Sequence, residues 1–204
     1  MRLSPIENPK ELVAKLSYWM TKRRLGKVMT PMKVIYARLP ALFRLAYQQV
    51  QIVERKITLD PVISLLVRTW PAMINECTFC VDIAKTGALY QHVPLEKIEA
   101  LPSYRTSPLF SERERTALAY VEEATRHKHV GDATFADLRR HFNEREIVEI
   151  TWLNALENYY NLLNLPLGIE ADGLCAIASA GPQTLTPPRP ALRHPPLPIR
   201  RGPR

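Results

Sequence analysis

At 204 residues the chain fits one ordinary domain with a tail, and 46% of its residues are apolar, enough for a real core. Seven glycines against 18 prolines argue against a Gly-rich β fold and suit helices joined by short connections. No apolar run approaches the ~18–20 residues that cross a bilayer, and residues 1–10 lack a signal-peptide hydrophobic stretch, so the chain reads as soluble and cytoplasmic, with no membrane partner.

The formal charge of +8 comes from the two ends. Residues 1–60 carry 12 basic and 4 acidic side chains, residues 61–184 carry 11 and 16, and residues 185–204 carry 5 and none. A nucleic-acid binder needs a basic face on a recognisable module. None stands out, so no specific nucleic-acid partner is expected. From Pro182 onward 8 of 23 residues are proline, with five arginines and no acid. That composition predicts a disordered Pro/Arg-rich tail over 182–204, following a single all-helical domain over 1–181.

In chain order, residues 9–24 read as an amphipathic helix with Leu12, Leu16, Trp19 and Met20 on one face. Residues 41–57 carry Leu42, Ala46, Val50 and Val53 at helical spacing. Asp60-Pro61 is a helix start, an acid cap followed by proline at the first helical position, and Pro71 should kink or end that helix. Asn75-Glu76 reads as a turn, with a new helix from near Cys77 to about Tyr90. A short helix at 94–101 and a loop at 102–108 come next. Ser111-Glu112-Arg113-Glu114 is a capping box. Asp132 is expected to cap a helix holding Phe135, Leu138 and Phe142. Asn143-Glu144-Arg145-Glu146 repeats the capping-box logic and opens the longest helix, which Pro166 ends. Residues 171–180 form a last turn or two. No segment shows strand alternation.

The chemistry centres on Cys77-Thr78-Phe79-Cys80. Two cysteines three apart at the start of a helix face the same way and can close a disulfide. The free N–H groups there favour a thiolate. A thiolate with a second thiol in reach is what disulfide exchange or peroxide reduction requires. Two blander readings stand beside this one: a pair of packed, inert cysteines, and half of a zinc site. Zinc needs two more ligands, and neither Cys175 nor the histidines at 92, 127, 129 and 141 have suitable spacing. No metal and no cofactor are therefore expected. His127 and His129 read as helix-end or surface residues, and Cys175 as a buried small hydrophobe.

The run Leu59-Asp60-Pro61 … Met73-Ile74-Asn75-Glu76-Cys77-Thr78-Phe79-Cys80-Val81-Asp82 resembles the core of the carboxymuconolactone decarboxylase / alkylhydroperoxidase D-like family. The stretches Phe110-Ser111-Glu112-Arg113-Glu114 and His141-Phe142-Asn143-Glu144-Arg145-Glu146-Ile147-Val148-Glu149-Ile150 look like its second half. The resemblance covers roughly residues 28–170. It implies an all-α alkylhydroperoxidase D-like helical bundle that associates as a dimer, trimer or hexamer, and a thiol-dependent peroxidase or disulfide oxidoreductase. By the resemblance Cys80 is the nucleophile that attacks peroxide and Cys77 the resolving residue, with a small-molecule peroxide or metabolite as substrate and a thiol electron donor. The departures are specific. Redox-active relatives carry a relay histidine four residues after the second cysteine, where Ala84 stands. They carry a relay glutamate twelve residues before the first, where Leu65 stands.

Two features could replace that relay. Arg68, one turn after Leu65, could stabilise the thiolate as a cation or sit in an ion pair. Thr151, Asn154, Glu157, Asn158 and Asn161 form a polar stripe on the longest helix. The stripe could line a substrate pocket with Glu157 as general base, or form a subunit interface or a solvent face. Asp82 should point roughly 160–200° away from Cys80 on helical geometry. The small residues Ala84, Gly87 and Ala88 suit close helix packing or room for a ligand. Beside the thiol enzyme stand a non-redox, decarboxylase-like enzyme drawing on the stripe and a catalytically impaired binding or scaffold homologue.

Overall fold

A computed structural model describes residues 1–180. The elements are α1 (Leu12–Leu25), a π-helical turn (Met32–Tyr36), α2 (Ala41–Arg55), α3 (Pro61–Ile74), α4 (Thr78–Tyr90), α5 (Leu95–Glu99) and a 3-10 turn (Leu101–Ser103). They continue with α6 (Glu112–His127), α7 (Asp132–His141), α8 (Glu144–Asn164), a second 3-10 turn (Leu165–Leu167) and α9 (Leu174–Ala180). Among the described residues there is no strand, and no helix is long and apolar enough to cross a membrane. The expected tail, 182–204, lies outside the described residues.

Local rules account for most helix starts. Asp60 accepts from the N–H groups of Val62 and Ile63, with Pro61 at the first helical position. Ser111 and Asn143 open α6 and α8 with complete capping boxes, each side chain paired with the third residue of its helix in both directions. Three expectations are corrected. Pro71 does not end α3, which runs on to Ile74. The proline is buried among apolar neighbours, and the ladder resumes with the Asn75 N–H donating to the Pro71 carbonyl at 3.0 Å. Asp132 is the first residue of α7, not its cap. Gly131 takes that position, and its N–H donates to Glu123. The apolar face expected of α1 points outward: Leu12 is 80% exposed and Trp19 58%, while Ala14 and Tyr18 turn inward.

α3 is the central helix, packed by α6, α8 and α4. The main core joins Leu66, Val67 and Trp70 of α3 to Leu118 and Val121 of α6 and to Ile150 and Leu153 of α8. A second, smaller cluster wraps the cysteine pair, with Val34, Ala72, Phe79, Ile169 and Leu174 around Cys77 and Cys80. At Gly87 α4 faces α3: a Cβ there would stand 3.7 Å from Leu65 Cδ1, an ordinary van der Waals contact. Asp82, on the far side of α4 as expected, accepts the N–H groups of Asp172, Leu174 and Cys175 and pins the start of α9. Cys175 itself is half-buried, not a core residue, because α9 lies at the surface beyond that anchor.

Candidate active site around the cysteine pair

Between α3 and α4 the chain reverses over two residues. Asn75 ends α3, Glu76 takes a left-handed conformation at φ 56°, and Cys77 caps α4. The left-handed glutamate costs on the order of 1 kcal/mol. The Cys77 N–H donates back to the Ala72 carbonyl at 2.9 Å, which closes the turn. The turn brings Cys77 and Cys80 into a disulfide with a Cα–Cα distance of 5.2 Å. Both residues are buried, Cys77 completely.

α8 supplies the other wall. Its polar stripe faces inward: Asn154, Glu157, Asn161 and Asn164 are all buried. Buried side chains that meet α3 and α4 do not fit a solvent face. Thr151 is the exception. It is exposed and shares a hydrogen bond with Tyr120. The Asn161 amide donates to Cys80 Sγ at 3.1 Å, and Asn164 donates to the same sulfur at 3.6 Å.

Every polar atom of Asn161 is engaged. Its Nδ2 also donates to Glu157 Oε1 at 2.9 Å, and its Oδ1 accepts from Asn75 Nδ2 at 2.8 Å. Asn75 Nδ2 donates as well to Asn158 Oδ1 at 3.0 Å. Asn158 in turn donates to Asn154 and Thr125, and Thr125 Oγ1 donates to Asn154 Oδ1 at 2.8 Å. An amide network thus runs from α6 through α8 to the residue two before the first cysteine.

Glu157 lies 4.0 Å from Arg68 Nε. Burial pushes its carboxyl above the ordinary carboxylate range, against the opposing pull of Arg68 and of the Asn161 amide. Arg68 makes no hydrogen bond to the sulfur, and its buried Nε has no hydrogen-bond partner among the described residues. It reaches the site through Glu157. All four residues singled out in the sequence, Cys77, Cys80, Glu157 and Arg68, therefore lie in one cluster. Asn75 and Asn164 belong to it too. Asn75 read as a turn residue only, but Asn164 extends the stripe at the same three-and-four spacing that marks Asn154, Glu157 and Asn161. No group of three His, Cys, Asp or Glu side chains among the described residues is placed to hold a metal ion.

The uncharacterized protein YnjA of Escherichia coli strain K12 is 36% identical over 168 residues, covering 81% of this chain and 92% of that protein. Among solved structures, a protein of unknown function from Agrobacterium tumefaciens, described as a candidate antioxidant defence protein AhpD, is 26% identical with a TM-score of 0.63. That match covers 68% of this chain and 96% of the other. The chain belongs to the alkylhydroperoxidase D-like family. The family's fold extends to proteins of other activity: the debrominase Bmp8, solved as a cysteine-to-alanine variant with 2,3,4-tribromopyrrole, has a TM-score of 0.74 at 16% identity, over 88% of this chain and 96% of that one. No protein-family model matches the chain.

Proposed function

We propose that this alkylhydroperoxidase D-like protein is a thiol-dependent peroxidase or disulfide oxidoreductase, with Cys80 as nucleophile and Cys77 as resolving residue. The observation that carries the reading is the asymmetry of the pair. Cys80 Sγ faces two amide donors inside the first turn of α4, while Cys77, at the N-cap, has no amide donor on its sulfur among the described residues. In the reduced protein the Cys80 thiolate attacks a peroxide oxygen. An S–O bond forms, the O–O bond breaks, and the leaving alkoxide takes a proton. The Cys77 thiol then attacks the sulfenic sulfur, forming the disulfide and releasing water. A thiol donor of two electrons restores the dithiol by exchange. Glu157, its pKa raised by burial against the opposing pull of Arg68 and Asn161, suits the acid–base part. The protein acts as a homo-oligomer and takes a small peroxide or metabolite.

The test is direct. The reduced protein should lose two titratable thiols per equivalent of added peroxide, Cys80→Ser should abolish peroxide consumption, and Cys77→Ser should stop at a trappable sulfenic acid. Thiols that survive hours of excess peroxide would sink the reading. A second reading, a non-redox enzyme with Glu157 as base, draws on the same buried carboxyl. Turnover of a lactone or other small molecule that survives Cys80→Ser but not Glu157→Gln would select it. The debrominase fold relative makes halogenated aromatics a further substrate class for the same thiol assay.

A further inference from the structure

The cysteine pair lacks the glutamate and histidine that would ionise it by proton transfer: Leu65 and Ala84 are apolar. What faces the sulfur instead is neutral. Two primary amides donate to it, and one of them cannot turn away, because its oxygen is held by Asn75 and its second N–H by Glu157. A disulfide sulfur is a poor acceptor, and a thiolate is a strong one. Donors fixed around Cys80 therefore interact far more with the reduced, ionised state than with the disulfide.

We infer that Asn161 and Asn164 form a preorganised amide cradle for the Cys80 thiolate, which lowers the thiol's pKa and makes the Cys77–Cys80 disulfide a stronger oxidant. The inference rests on the reading of Cys80 as the reactive thiol. It adds that the stabilisation comes from hydrogen bonding, with no titrating base in contact with the sulfur. On reduction by a dithiol, the disulfide takes two electrons and one proton, giving a Cys80 thiolate and a Cys77 thiol, and the donor becomes a disulfide. The cradle acts on the thiolate side of that balance. The charged groups facing the site are Glu157 on α8 and Arg68 on α3, which face each other, and Asp82 on α4. The Asp82 carboxylate is turned away, onto three backbone N–H groups of residues 172–175. Asn75 is a positioning residue: it touches Asn161 and not the sulfur.

The experiment uses the full-length protein reduced with dithiothreitol. Two quantities are read: the pH dependence of Cys80 alkylation by iodoacetamide, and the equilibrium of the disulfide with a glutathione buffer. The wild type should alkylate with a pKa below the ~8.5 of a free cysteine. Asn161→Leu should move the profile to higher pH. It should also shift the glutathione equilibrium at least tenfold toward the disulfide, about 30 mV more negative in potential. Asn164→Ala should do the same to a smaller extent, in keeping with its longer contact. Asn75→Ala, which frees the Asn161 oxygen, should give an intermediate shift.

If Asn161→Leu does not fold, Asn164→Ala and Asn75→Ala decide the matter by the same two readouts. Unchanged pKa and potential in folded variants, with peroxide still forming the disulfide in the wild type, would overturn the cradle and leave the thiol enzyme standing. A wild-type pair inert to peroxide would overturn the underlying reading first.

Discussion

Glu157 is the buried side chain whose protonation the fold alters most tellingly. A carboxyl whose pKa rises on folding binds its proton more tightly in the native state than in the unfolded chain. Native stability is then unaffected below the ordinary glutamate range and falls as pH rises through the raised value. Glu157→Gln keeps an acceptor for the Asn161 amide and removes the charge that burial penalises. The variant should melt at the same temperature as the wild type in acid and at a higher one at neutral and alkaline pH, by differential scanning calorimetry across pH. A variant less stable at pH 8 than the wild type would mean that Arg68 outweighs desolvation. Much of this site is legible from the sequence, because Asn154, Glu157 and Asn161 recur at helical spacing on a helix otherwise rich in apolar residues. Asn75 is not. Its role depends on where α8 passes over the end of α3, and no local pattern carries that information.

Helices behave differently from sites in this respect. The starts at Asp60, Ser111 and Asn143 are legible because a cap satisfies its orphan N–H groups within four residues. The continuation of α3 through Pro71 is not, because it depends on the burial of that stretch against the rest of the fold, which no local pattern carries. The anchoring of α9 is likewise tertiary: its start is held by Asp82, ninety residues away, and by Asp172, whose carboxylate binds Thr30 and Lys27. Replacing Asp82 by alanine should cost about 1.5–3 kcal/mol, the range for hydrogen bonds to a charged group. The loss should be concentrated in residues 170–180, read as faster amide exchange there with the exchange of α3 and α6 little changed. Uniform loss of protection along the chain would show instead that α9 unfolds only with the core.

At the scale of the molecule, α1 presents Leu12, Leu16, Trp19 and Met20 as one outward stripe. The spacing of these four residues is legible from sequence, but their direction is not, since periodicity does not say whether a core or another chain covers them. Soluble monomers rarely expose a contiguous apolar stripe of this length, so the face is expected to be covered by a second copy of the chain. Burial of such a face weakens little with salt, unlike an association held by the basic groups of the N-terminal region. Sedimentation should therefore give a mass above 23.4 kDa that holds at low and high ionic strength. The paired substitutions Leu16→Glu and Trp19→Glu should bring it down toward the monomer, because two carboxylates cannot be desolvated in an apolar contact without several kcal/mol of cost. Because both side chains are exposed, the helical content and melting of the core should change little in the separated subunit. A wild type that already sediments at 23.4 kDa would refute the assignment of this face to self-association.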